Sequence, residues 1–130
     1  VAAVAHDLAT HLALMGHGTL GETVFAGRLP PTPDAAVAVQ GPYGGEGPIW
    51  THDGMTADRQ RVQIAVRAAT YAAAESLATA IYRTLAKVVN GAMGEGHYQR
   101  VMPLQAPFLL ERDEHERVIF AFNCAVTRNL

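Results

Sequence analysis

RQRVQIAVRAATYAAAESLATAIYRTLAKVVNG, residues 59–91, joins the clearest strand of the chain directly to its clearest helix. Val62, Ile64 and Val66 alternate with Arg61, Gln63, Ala65 and Arg67, the period of two that marks a strand with one buried and one wet face. After Ala68-Ala69-Thr70 the period changes. Tyr71, Ala74, Ala78, Ile81, Leu85 and Val88 recur at spacings of three and four, which predicts an amphipathic helix with Thr70 as its cap. Glu75, Ser76, Thr79, Arg83 and Lys87 fall on the opposite, wet face. Asn90-Gly91 supplies residue types that tolerate a left-handed backbone, so the helix is expected to stop there. Its alanine-rich stripe permits a close approach to a sheet.

Outward from this unit, Val4, Leu8, Leu12 and Met15 predict a first helix, ended by Gly16 and Gly18. Residues 22–28 read as a short strand, which Pro30, Pro31 and Pro33 break because proline removes a ladder donor. Residues 34–40 read as the next strand. Beyond the second helix, residues 92–96 read as a glycine-rich turn and residues 97–104 as a strand. A charged turn over residues 111–117 follows Phe108-Leu109-Leu110, and a long final strand spans residues 118–127. The expected fold is α+β, a mainly antiparallel sheet with two helices packed on one face, in the order helix, strands, helix, strands. At 130 residues the chain, residues 1–130, suits one domain.

Residues 41–58, GPYGGEGPIWTHDGMTAD, carry five glycines and two prolines and read as one long loop. Loops of that length in a compact domain are commonly functional, and Tyr43, Ile49, Trp50 and Met55 give this one apolar side chains with which to dock on a partner. These four are the candidate interface residues. The competing reading is a flap folded over its own core.

Composition narrows the chemistry. No run approaches the roughly 20 apolar residues needed to cross a bilayer, so a soluble protein with no membrane partner is expected. The first residues hold His6 and Asp7 and no basic leader, so a secretory signal is not expected, and the missing initiator Met suggests trimming. The single cysteine, Cys124, excludes an internal disulfide and a multi-cysteine metal site and fits a reducing compartment. It lies on the bulky face of the final strand and reads as a packing thiol. A formal net charge of −2, with bases and acids interspersed, shows no basic face for tight nucleic-acid binding.

Catalysis finds little support. Gly44-Gly45-Glu46-Gly47 lacks the Lys-Ser/Thr ending of a phosphate-binding loop. His6 and His11 lie five apart, not at the spacing of a helical metal pair, and read as solvated. His52 and Asp53 are the residues a small enzyme would use, but no partner at a fixed spacing accompanies them. The carboxylates of residues 111–116 read as a solvated turn. No catalytic, cofactor-binding or metal-binding residue is assigned.

The run Val62, Gln63, Ile64, Ala65, Val66, Arg67, followed by Tyr71, Ala74, Glu75, Leu77, Ala78, Ile81, Tyr82 and Leu85, resembles the tail-terminator or minor capsid (head–tail joining) proteins of long-tailed phages and related gene-transfer particles. In that family a strand ending in Val-Arg leads into a helix of this pattern. The order of elements also matches over most of the chain. The resemblance implies a structural protein of the virion that forms a ring, usually of six subunits. Such a ring caps the tail tube and meets the head-completion or stopper protein, while DNA passes through the lumen without sequence-specific binding. It implies assembly in the host cytoplasm and a final place in the tail or neck. Another neck or head-closure component is the nearest alternative, and a small enzyme using His52 and Asp53 is a more distant one.

Overall fold

The computed structural model describes residues 3–129. Its order is α1 (Val4–Leu14), β1 (Val24–Ala26), β2 (Ala36–Gln40), β3 (Ile49–Thr51), β4 (Gly54–Ala68), α2 (Tyr71–Ala86), β5 (Val89–Met93), β6 (Gly96–Pro103), β7 (Phe108–Arg112) and β8 (Val118–Asn129). All eight strands join one curled sheet in the order β1-β2-β4-β8-β6-β5, with β3 added to β4 and β7 to β8. Every pairing is antiparallel except that of β1 with β2. The fold is α+β.

The central unit forms as its periodicity predicts. β4 runs beside β8 in register from Ala57 opposite Asn129 to Ala68 opposite Val118, so each residue facing the core meets another of the same kind. Val62, Ile64 and Val66 thereby sit opposite Cys124, Phe122 and Phe120, and all six are buried. Thr70 caps α2 by accepting a hydrogen bond from the Ala73 amide at 3.2 Å. Ala74, Ala78, Ile81 and Leu85 are fully buried from this helix, while α1 contributes Val4, Leu8 and Leu12 to the same hydrophobic cluster. Tyr82 stands edge-on to Phe122, with ring centroids 5.6 Å apart.

The structure departs from the sequence reading at four places. Residues 49–58 are not loop: Ile49–Thr51 and the start of β4 form a two-stranded hairpin in which Trp50 lies opposite Met55. Helix α2 ends at Ala86 with Lys87 as its cap, not at Asn90-Gly91, because Val89 already pairs with Arg100 in the β5–β6 ladder. Asn90 does adopt the left-handed backbone, at φ 49°, but inside β5. Residues 92–96 accordingly contribute to two strands and keep only a tight turn. Tyr71, assigned to the buried stripe, is half exposed and touches the core edge-on through Phe120 at 5.1 Å.

Three charged groups are buried, and two of them, Arg67 and Arg117, read as wet from the sequence. Asp7 of α1 is fully buried and accepts hydrogen bonds from the Tyr98 hydroxyl and from the Glu95 amide at 3.2 Å. Gly94 and Gly96 make this approach possible: a Cβ on Gly94, at φ +57°, would stand 2.5 Å from one Asp7 carboxylate oxygen, and one on Gly96 2.8 Å from the other. Arg67 donates to the carbonyls of Pro33 and Asp34, and Arg117 donates to that of Pro31. Prolines offer no N–H but keep a carbonyl, so two buried guanidinium groups anchor the proline-rich turn to the sheet.

Arg117 also binds Asp113, Nε to Oδ2 at 2.7 Å, while Asp113 Oδ1 accepts from the amides of His115 and Arg117, both at 2.9 Å. Burial pushes the Asp113 carboxyl up, but the hydrogen bonds from Arg117 and His115 and the Arg117 charge outweigh it, and the net shift is downward. A carboxylate held below its ordinary 3.8 stabilises the fold fully above that value and loses its contribution as pH falls through the lowered one. The protection of the amides of residues 113–117 against hydrogen exchange, relative to their intrinsic rates, should therefore fall on strong acidification, and Asp113→Asn should abolish that pH dependence of protection. An unchanged acid response in Asp113→Asn would show that the turn is held by other groups.

Candidate assembly surface

Residues 41–48 lie along β4 instead of standing free. The Tyr43 amide donates to the Arg61 carbonyl at 2.8 Å, and the Arg61 amide donates back to the Gly44 carbonyl at 3.2 Å. Arg59 reaches over the same stretch, with Nε donating to the Gly47 carbonyl at 2.7 Å and Nη1 pairing with Glu46 at 2.8 Å. Gly45 is required where the two backbones touch, because at φ +130° a Cβ there would stand 2.6 Å from the Arg59 carbonyl oxygen. Thus Gly44-Gly45-Glu46-Gly47 serves as backbone that packs onto a strand.

On this base the four candidate interface residues divide. Ile49 is half buried, while Tyr43 is 60% exposed, Trp50 66% and Met55 45%. Trp50 and Met55 are cross-strand neighbours on the β3–β4 hairpin. Trp50 does not fold back onto the sheet.

A second apolar strip lies on the opposite side of β8 from β4, and sequence reasoning missed it. Met102, Leu104, Phe108, Leu109 and Leu110 are all at least 36% exposed, and every residue of β7 is exposed. β7 pairs with β8 along one edge only. An edge strand with bare ladder groups and large apolar side chains is a template for another chain unless something covers it. The available signal was the run of residues 102–110, apolar with two prolines and no charge, which reads equally well as core.

The sheet face opposite Val62, Ile64 and Val66 is cationic in its lower half. Register places Arg59 and Arg100 on either side of Thr127, and Arg61 and Met102 on either side of Ala125. These side chains, with Glu46, line a concavity of about 180 Å3. Arg61 and Arg100 are exposed and make no ion pair among the described residues. The expectation of interspersed charge with no basic face does not hold here, because Arg59 and Arg100 are far apart in sequence and only strand pairing brings them together.

The residues considered for catalysis are not assembled. His52 and Asp53 form the exposed tip of the β3–β4 turn, where the Asp53 amide donates to the Thr51 hydroxyl at 3.3 Å. His6 is exposed, but His11 is half buried. Burial chiefly, and then the neighbouring His17, lower its pKa. Among the described residues no group of three or more His, Cys, Asp or Glu is placed to hold a metal ion. Cys124 is fully buried, and burial pushes its thiol up to about 12, the opposite of nucleophile activation. No described helix is long and apolar enough to cross a membrane.

Comparison with known proteins gives the surface its context. A chain in the solved structure titled "Virion of native gene transfer agent (GTA) particle" superposes with a TM-score of 0.63 at 15% identity, covering 94% of this chain and 86% of that one. At that identity the likeness is one of fold. No curated protein sequence matches significantly. The family described as "Bacteriophage tail terminator protein" matches over residues 11–130, nearly the whole sequence. The chain belongs to the bacteriophage tail terminator protein family.

Proposed function

We propose that this tail terminator acts as a closed structural ring, expected to be hexameric, that caps the tail tube and joins it to the head-completion or stopper protein. DNA crosses its lumen without sequence-specific contacts. The single observation that carries this reading is the family match over residues 11–130. Its place is the tail or neck of a phage or phage-like particle, after assembly in the host cytoplasm, in keeping with a fold shared with a gene-transfer-agent virion chain. No catalytic step belongs to it. The chain acts by presenting surface.

The distribution of burial supports that role. The strand residues of the main hydrophobic cluster share one parity along β4 and β8, which fits both helices covering one face. On the other face Ala65, Arg67, Ile119 and Ala121 are buried too, so the end at exposed Arg61 and Arg100 is the part left for partners. Ring contacts are heterologous, so one subunit must carry two different patches that fit each other. Exposed apolar side chains that could serve lie at Tyr43, at the cross-strand pair Trp50 and Met55, along residues 102–110, and at Leu14, Met15 and Val89. Large aromatic side chains dominate most interfaces, and truncating a central one typically costs about 2 kcal/mol or more of binding energy.

Sedimentation and electron microscopy of the protein with and without purified tail tubes test the ring. Rings seated on tube ends are expected. A protein that stays monomeric at high concentration and leaves tubes uncapped would defeat the reading, and rings found only on the head side would assign it to another neck position. Tyr43→Ala with Trp50→Ala should keep the melting temperature while lowering the yield of capped tubes at least tenfold, a figure of about the size that one hot spot provides. Normal capping by this double variant would remove these residues from the interface.

A further inference from the structure

We propose that the arginine cleft of one subunit receives the acidic β7–β8 turn of the next, which is a second copy of this chain. The inference rests on the ring reading above and names the contact that closes it.

The receiving site is the concavity of about 180 Å3 flanked by Arg59, Arg61 and Arg100. Glu46 neutralises Arg59. Arg61 and Arg100 remain without an ion pair among the described residues, on a face whose other strand positions nearby, Gln63, Asn123, Ala125 and Thr127, carry no charge. Two neighbouring guanidinium groups repel each other until an anion joins them, so the cleft favours a carboxylate or phosphate occupant.

The same chain carries a matching donor. In the turn after β7, Asp113 is occupied by Arg117, but Glu114 and Glu116 are exposed, with only His115 near Glu114 at 3.7 Å. Glu116 is held at φ 61°, so the turn presents its carboxylates from a fixed backbone. Exposed Leu109 and Leu110 flank it on β7, and exposed Met102 lies beside the cleft, which gives the charge contact an apolar border.

One subunit cannot satisfy both patches by itself. The cleft lies at Thr127 and the turn just before Val118, nine positions apart along β8. At roughly 3.3 Å per residue that is about 30 Å, well beyond contact and beyond a Debye length of about 8 Å in physiological salt. Opposite charges at the two ends of one long strand call for a head-to-tail neighbour. Repetition of that contact by rotation closes a ring.

Charge reversal tests the contact with the full chain. The first variant carries Arg61→Glu and Arg100→Glu, and the second carries Glu114→Lys and Glu116→Lys. All four positions are exposed, so both variants should melt as the native protein does. Each alone should need at least about tenfold more protein to form rings on tail tubes, because like charges then meet at every contact. An equimolar mixture should recover assembly, since in an alternating ring each reversed cleft meets a reversed turn. Should reversal unfold the first variant, Arg61→Gln with Arg100→Gln carries the same test, with the salt sensitivity of assembly reduced.

Normal ring formation by either variant alone, or a mixture no better than its components, overturns the contact while leaving the ring reading intact. Loss of binding to a mixed-sequence DNA duplex by the first variant, with rings unaffected in both, would make the cleft a phosphate site and also overturn it. Native protein that forms no ring on tail tubes removes the ring reading and this contact together.

Discussion

Leu85→Asp should leave the chain unfolded, and Ile81→Asp should do the same. Both side chains are fully buried where α2 meets the sheet. Replacing either loses about 2 kcal/mol of apolar burial and places a carboxylate where no partner waits, a penalty of several kcal/mol more unless the group takes up a proton. A domain with about 5–15 kcal/mol in total cannot absorb that. Glu75→Gln, on the exposed side of the same helix, should change stability by less than about 0.5 kcal/mol. Thermal melts of the three variants check the assignment of faces. Equal stabilities would mean that α2 is packed by a different stripe from Ala74, Ala78, Ile81 and Leu85.

Those faces were legible in sequence because their information is local. Val62, Ile64 and Val66 repeat at two, the α2 stripe repeats at three and four, and Thr70 marks the change between them. Each signal needs only its own neighbours along the chain. β3 and β5 were not legible for the complementary reason: three residues, Ile49–Thr51, are too few to show a period, and Val89–Met93 contains a glycine and an asparagine that argue locally for a turn. Their strand character comes from the ladders offered by β4 and β6.

The same limit shaped the reading of the surface. Tyr43, Trp50 and Met55 stood out as apolar side chains in a glycine-rich segment, and they are exposed. Arg67 and Arg117 looked like ordinary wet-face charges because the carbonyls they bind lie more than 30 positions earlier, around Pro31 and Pro33. The arginine cleft was invisible for a related reason. Arg59 and Arg100 meet only through Thr127, and that register cannot be read from any one segment.

Asp7→Ala should destabilise the fold by about 3 kcal/mol, a large effect for a residue near the start of the chain. Asp7 is the acceptor for two donors of the β5–β6 hairpin, the Tyr98 hydroxyl and the Glu95 amide, and neither finds a replacement in the alanine variant. The Tyr98 hydroxyl is held in its protonated form first by burial and then by its bond to Asp7, and Arg128 opposes that upward shift. This network ties α1 to strands some 90 positions away, as the separation of Asp7 and Tyr98 shows. Tyr98→Phe should cost about 1–2 kcal/mol, because it removes one donor and leaves Asp7 with the Glu95 amide. The double variant should cost less than the sum, by at least about 0.5 kcal/mol, since the second change removes a group the first had already orphaned. Denaturant titrations of the two single variants and the double variant measure this coupling. Strict additivity would show that the hydroxyl and the carboxylate act independently, and the link between α1 and the hairpin would then rest on apolar packing alone.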